Sequence, residues 1–131
     1  MTSGVVLSRG DLEERLARWY GCWERYDLDG VLSLFHERVR YEHWDGRSIV
    51  GRALLRLAWS SWFAGRDFRF REEETFIDEF AQKALYRWEL TWPSPDDSQA
   101  TEVRSGVDVL HFQDGLIVAK LTYSRPGNPD S

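Results

Sequence analysis

The stretch Gly106-Val-Asp-Val-Leu-His-Phe-Gln-Asp-Gly-Leu-Ile117 alternates in character as far as Phe112, breaks at Gln113-Asp114-Gly115 and turns apolar again at Leu116. A period of two on either side of a Gly-containing turn is the pattern of two antiparallel strands. Successive strand side chains point to opposite faces. Arg104, Gly106, Asp108, Leu110 and Phe112 therefore share one face, and Val107, Val109 and His111 the other. Both faces carry apolar residues, so both need a covering. Helices can supply only one. Val107, Val109, Leu116 and Val118 would form an outer patch larger than monomers usually tolerate, so a homodimer through the sheet is expected.

Outward from this hairpin, the same period continues back to residue 68. Phe68–Asp78, Lys83–Trp92, Thr101–Phe112 and Leu116–Ser124 read as four strands on short connections, an antiparallel meander. Before Asp67 the period is helical. Ser8 and Asp11 open a run of Leu12, Leu16, Trp19, Tyr20, Trp23 and Tyr26, which predicts a helix over 9–27. Asp29 can cap a short second helix carrying Val31, Leu34 and Phe35. Val39–Trp44 alternates up to the turn dipeptide Asp45-Gly46 and reads as a strand. After Gly51, the residues Leu54, Leu55, Ala58, Trp59, Trp62 and Phe63 predict a third helix, with Arg52 and Arg56 facing away and Gly65 as its stop. The order implies an α+β fold with helices on one face of a curved sheet. A single domain fills 1–131, ordered over about 9–124, with a frayed tail at Pro126-Gly-Asn-Pro129.

Composition narrows the function. Seventeen Lys and Arg against 22 Asp and Glu, a net charge of −5, exclude a dense phosphate-binding face, so no nucleic acid partner is expected. One cysteine, Cys22, permits no internal disulfide, and three scattered histidines offer no metal-ligand spacing; no metal is expected. No stretch reaches membrane-spanning length, and Val5-Val-Leu7 is too short for a signal segment, which points to a cytoplasmic protein with no membrane partner. Glu72-Glu-Glu74 offers three carboxylates, but alternation sends Glu72 and Glu74 to one face and Glu73 to the other, a solvated face paired with Arg or Lys across the ladder. Cys22 reads as an inert buried thiol, and His36 and His111 as peripheral.

Asp108 is a lone carboxylate between two valines in a chain rich in aromatic residues. Desolvation would make it a proton donor or acceptor, unless Arg104 on its own face or a backbone group holds it as a structural partner. Leu16-Ala-Arg-Trp-Tyr20, Tyr26-Asp-Leu-Asp-Gly30, Val39 to Trp44, Gly51-Arg52 and above all Gly106 to Ile117 resemble the nuclear transport factor 2-like superfamily. The resemblance spans about residues 9–124 and is greatest to the SnoaL-like branch, whose relatives include polyketide cyclases and ketosteroid isomerases. It implies a cone-shaped fold in which three N-terminal helices, with one short strand between the second and third, pack on a curved antiparallel sheet. Such a scaffold hosts enzymes, binders and adaptors alike.

The resemblance also implies roles. Asp108 matches the protonated acid that helps bind an oxyanion in the isomerases, and His43 falls where they keep a general-base carboxylate. Imidazole can act as a base near neutral pH; the alternative is a strand-end histidine bonded to solvent or to the Asp45 turn. Trp19 falls where the isomerases place a phenol, or simply packs the core. Tyr26-Asp27 resembles the Tyr-Asp pair of scytalone dehydratase. With 15% aromatic residues and seven Trp, the cone should enclose an aromatic pocket for a small, flat, apolar molecule. Candidate lining residues are Trp19, Trp23, Tyr26, Tyr41, Trp59, Trp62, Trp88, Arg104, Leu110 and Phe112. The implied chemistry is cofactor-free proton transfer of isomerase, cyclase or dehydratase type. The alternative is a non-catalytic ligand-binding or interaction module of the same fold.

Overall fold

A computed structural model describes residues 4–97 and 99–127. Helix α1 (Arg9–Glu24) starts as its sequence dictates. Ser8 Oγ accepts from the Asp11 amide at 3.1 Å, and the Asp11 carboxylate accepts from the Ser8 amide at 3.2 Å. Its buried stripe is Leu12, Leu16, Trp19, Cys22 and Trp23. It stops short of residue 27 because Tyr26 is left-handed (φ 56°) and Asp27 leaves to start the next helix. The Asp27 carboxylate accepts from the Gly30 amide at 2.9 Å, so Asp27 rather than Asp29 caps α2 (Leu28–Ser33). Asp29 instead pairs with Arg56 at 2.6 Å.

Phe35 belongs to a strand rather than to α2. Strand β1 (Phe35–Glu42) begins four residues before the alternating stretch and folds back onto β2 (Ser48–Val50), which is too short to read from periodicity. Gly51, at φ 107°, turns the chain into α3 (Arg52–Gly65), where Arg66 (φ 53°) rather than Gly65 supplies the left-handed stop. Strands β3 (Arg69–Asp78), β4 (Lys83–Pro93), β5 (Thr101–Gln113) and β6 (Leu116–Pro126) follow. Ordered chain extends beyond both expected limits. Leu7 is buried and held by the Gln82 side chain, and the Gly127 amide bonds to the Val103 carbonyl at 2.8 Å. The remainder of the expected frayed tail, Asn128 and Pro129, lies outside the described residues.

The sheet order is β2-β1-β6-β5-β4-β3. The meander from β3 to β6 is antiparallel as read, but β1 lies parallel to β6, which makes the sheet mixed. Two bulges shift the faces. One at Glu73 puts Glu72 opposite Trp88 and Glu74 opposite Arg87, so Glu72 and Glu74 lie on opposite faces. The Glu74–Arg87 pair, at 2.9 Å, is the cross-ladder contact expected there. The second bulge, at Val118, sets Phe112 against Ile117 but His111 against Ala119. Beyond it Lys120 and Thr122 turn inward and Leu121 and Tyr123 outward, the reverse of unbroken alternation.

The core lies between the helices and the inner sheet face, where Trp19, Trp88, Tyr86, Phe35 and Phe68 are fully buried. A Cβ at Gly106 would run into the Trp88 ring, so glycine makes room there for an indole. Burying aromatic rings on this scale matters: truncating one such ring to Ala costs about 3–5 kcal/mol.

Candidate functional site

Between the β1–β2 hairpin, α3 and the β4–β5 loop opens a cleft of about 1010 Å³. Tyr41, Trp44, Trp59, Trp62 and Trp92 supply aromatic walls, and Pro93-Ser94-Pro95 forms one rim. His43 also lines it. The chain reaches this point because β1 ends at Glu42 and the tight turn 43–47 closes with the His43 amide donating to the Arg47 carbonyl at 2.8 Å.

That turn fixes the imidazole. Asp45 accepts from the Arg47 amide at 2.9 Å and from Arg47 Nε at 2.6 Å, and these donors hold its carboxyl down at about 2. His43 Nδ1 lies 3.0 Å from Asp45 Oδ1 and 3.3 Å from the Asp45 amide. The ionised carboxylate is the nearer and stronger partner, which assigns the proton to Nδ1 and leaves a lone pair on Nε2. Partial burial lowers the imidazole pKa below its ordinary value, against the pull of Asp45. At neutral pH His43 is therefore a neutral base with an oriented ring.

Asp108 sits elsewhere. It is 1% exposed and does not line the cleft. Oδ2 accepts from Tyr86 Oη at 2.6 Å and pairs with Lys120 Nζ at 2.9 Å, while Oδ1 accepts from Trp88 Nε1 at 3.1 Å. Trp19 Nε1 donates in turn to Tyr86 Oη at 2.8 Å. Burial, and then the charge of Asp108, push the Tyr86 phenol well above its ordinary pKa, so it stays a donor. The cation on Asp108 is Lys120, not Arg104. Arg104 donates to Ser124 Oγ at 3.0 Å and lies 4.8 Å over the Trp44 ring. Lys120 escaped the sequence reading because the Val118 bulge reversed its face.

The expected lining residues therefore divide. Tyr41, Trp59 and Trp62 reach the cleft together with His43. Trp19, Trp23, Trp88, Leu110 and Phe112 are buried in the core instead, since the helices close directly onto them. Tyr26 lies just past the end of α1, its hydroxyl donating to the Phe68 carbonyl, and Arg104 stands behind Trp44. Trp44 and Trp92 are additional walls. Trp92 shares the parity of Trp88 and Leu90, a signal that could have found it; Trp44 lies in a turn where alternation carries no information. Among the described residues no three His, Cys, Asp or Glu side chains gather as a metal site, and no helix is long and apolar enough to cross a membrane.

Residues 16–120 match the family model of the SnoaL-like domain. No curated protein matches the chain. Among solved structures it is similar to an NTF2-like protein of unknown function from Mesorhizobium loti, with 23% identity and a TM-score of 0.74 over 88% of this chain and 92% of that one. It is also similar to a candidate polyketide cyclase from Xanthomonas campestris pv. campestris, with 21% identity and a TM-score of 0.68 over 88% and 90% of the two chains. A third likeness is TerC co-crystallised with polyporic acid, with 15% identity and a TM-score of 0.72 over 88% and 92%. At these identities the likeness is one of fold: helices on a curved, unclosed sheet.

Proposed function

This chain belongs to the SnoaL-like domain family, and on that footing we propose that its cleft takes up a small, flat, mainly apolar molecule on which His43 acts as the base of a cofactor-free proton transfer. One observation carries the proposal: an imidazole held through Nδ1 by an ionised carboxylate on the wall of an aromatic cleft. A base is effective when it is within reach of its proton, correctly protonated and oriented, and Asp45 meets the last two needs. The five aromatic side chains suit stacking on a planar ring system. TerC, of the same fold, was co-crystallised with polyporic acid, which supports a ligand-holding scaffold. Isomerisation, aldol-type cyclisation and dehydration all begin with such a proton abstraction.

Asp108 acts here as the counterion of Lys120 rather than as the acid, because every oxygen it has is already engaged. That same fact favours a second reading, a non-catalytic binder, since Asp108, the acid expected to work with His43, does not line the cleft. His43→Gln separates the two. Under the enzyme reading it lowers turnover of a substrate by about a hundredfold to ten-thousandfold with affinity unchanged. Equal turnover in both proteins leaves binding alone. Quenching of tryptophan emission by planar aromatic compounds finds the ligand class, and an unresponsive spectrum across a broad panel rejects both readings.

The outer sheet face is where a second copy of the chain would bind. Phe76 and Tyr123 are 59% and 58% exposed there, beside half-buried Val107, Val109 and Leu121. Light scattering should give a dimer mass, and Tyr123→Glu should halve it by setting a charge in the apolar seam. A wild-type monomer at micromolar concentration rejects the dimer.

A further inference from the structure

The polar residues that line the cleft come from two places. His43, Arg47 and Ser48 belong to the β1–β2 hairpin, whereas Asp67 lies in the short connection between α3 and β3 and Ser94 in the β4–β5 loop. Arg69 pairs with Thr91 across the β3–β4 ladder, and the same antiparallel register carried two residues further sets Asp67 beside Pro93, next to Trp92. Trp62 joins them from α3. Its ring stacks on Phe68, the residue after Asp67, with centres 4.1 Å apart and planes at 22°. Asp67, Trp62 and Trp92 thus make one end of the cleft, and the hairpin with His43 makes the other.

Charge differs between the two ends. At the hairpin, Arg47 is paired with Asp45 at 2.6 Å and His43 is neutral. Behind the walls, Lys120 is paired with Asp108 at 2.9 Å. Asp67 has no ion-pair partner among the described residues. Arg66, its neighbour in sequence, is turned onto Tyr26, 5.9 Å from the centre of that ring. The cleft therefore carries one unmatched charge, and that charge is negative. The net charge of −5 adds to the same field and draws cations toward it.

The aromatic walls divide in the same way. A ring face attracts a cation through its quadrupole, and three of the five walls already have one. Arg104 lies 4.8 Å from the centre of the Trp44 ring, and Lys120 lies 4.9 Å from that of Tyr41 and 5.9 Å from that of Trp59. Among the described residues no cation lies over Trp62 or Trp92, the two walls at the Asp67 end.

We propose that the cleft selects a flat aromatic ligand bearing an ammonium group, with the cation held against Asp67, Trp62 and Trp92 and the rings lying along Tyr41 and Trp59 toward His43. This names the ligand class of the reading above and rests on its cleft. A primary or secondary ammonium suits the site because Asp67 accepts its N–H while the indoles attract its charge. A carboxylate or phenolate at the same end meets Asp67 as a like charge.

The test uses three ligands of one shape, 2-naphthylmethylamine, 2-naphthylmethanol and 2-naphthoate, which at pH 7 are cationic, neutral and anionic. Each is titrated calorimetrically into the full chain at low salt. The amine should bind about tenfold more tightly than the alcohol, the combined size of an exposed ion pair and a cation–π contact, and naphthoate should bind weakest. Asp67 is exposed, so Asp67→Asn should fold as the wild type does by circular dichroism; it should bring the amine down to the affinity of the alcohol. Equal wild-type affinities for amine and alcohol, tightest binding of naphthoate, or an amine preference that survives Asp67→Asn overturns the role of Asp67 and leaves the cleft reading intact. If none of the three binds, the cleft reading falls with it.

Discussion

Two carboxylate–cation pairs stand near one cleft and differ in almost everything but charge. Asp45 and Arg47 meet at 2.6 Å within a five-residue turn, open to water, and their product is local: a fixed imidazole. Asp108 and Lys120 meet at 2.9 Å between neighbouring strands, sealed by Tyr86, Trp88 and Trp59, and their product is a field. In water the turn pair contributes little to stability, and its carboxylate is free to serve a group that exchanges protons. In the core the strand pair is enclosed on every side, so that removing either partner leaves the other charge buried and unpaired. The difference teaches where each kind of pair can serve: an oriented imidazole at the mouth, a buried ion pair joining neighbouring strands beneath.

The largest expected effect follows from breaking one pair of each kind. Lys120→Met leaves Asp108 buried without its counterion and should cost about 3–5 kcal/mol in urea unfolding. Arg47→Met, at the exposed pair, should leave the unfolding midpoint where it is. Equal losses at the two sites would erase the distinction. A smaller effect sharpens it from inside the core. Tyr86→Phe removes a donor to Asp108 and the acceptor of Trp19, and should cost about 1.5–3 kcal/mol, the range for a hydrogen bond to a charged group. A neutral result would mean that Lys120 and Trp88 suffice to hold the carboxylate.

The two pairs also differ in how far the sequence discloses them. The turn pair is local. Asp45-Gly46 marks the turn and His43 shares the parity of Tyr41, so the bond between His43 and the Asp45 turn was among the readings open from the start. Half of the strand pair was equally plain, because Asp108 lies in an unbroken alternating run. Lys120 was not, since nothing in Leu116-Ile-Val-Ala-Lys120 marks the extra residue at Val118 that turns the lysine inward. Parity without a marker pointed to Arg104 as the partner. For the same reason the four-strand meander was legible from its short loops, whereas the parallel pairing of β1 with β6 joins residues more than seventy positions apart through no local signal. Five inward tryptophans were read as pocket walls, but only Trp59 and Trp62 of them reach the cleft. Periodicity reports which side of an element is covered, not whether a side chain or a ligand covers it.

The most direct measurement is a pH titration of His43 by two-dimensional proton–nitrogen NMR, with and without a planar aromatic ligand. If the imidazole is the oriented base of the cleft, the neutral ring carries its proton on Nδ1 with Nε2 free. Its pKa is depressed in the folded protein, so the neutral form persists at neutral pH and protonates only as the pH falls through a midpoint below the ordinary histidine value. The same sign holds for stability, which this group supports fully above the unfolded-state value and withdraws as the pH falls through the folded one. Ligand should then move the Nε2 resonance and leave Nδ1 nearly still. A proton on Nε2, a midpoint above the ordinary value, or resonances indifferent to every ligand that quenches tryptophan emission would contradict the assignment of His43 as the base.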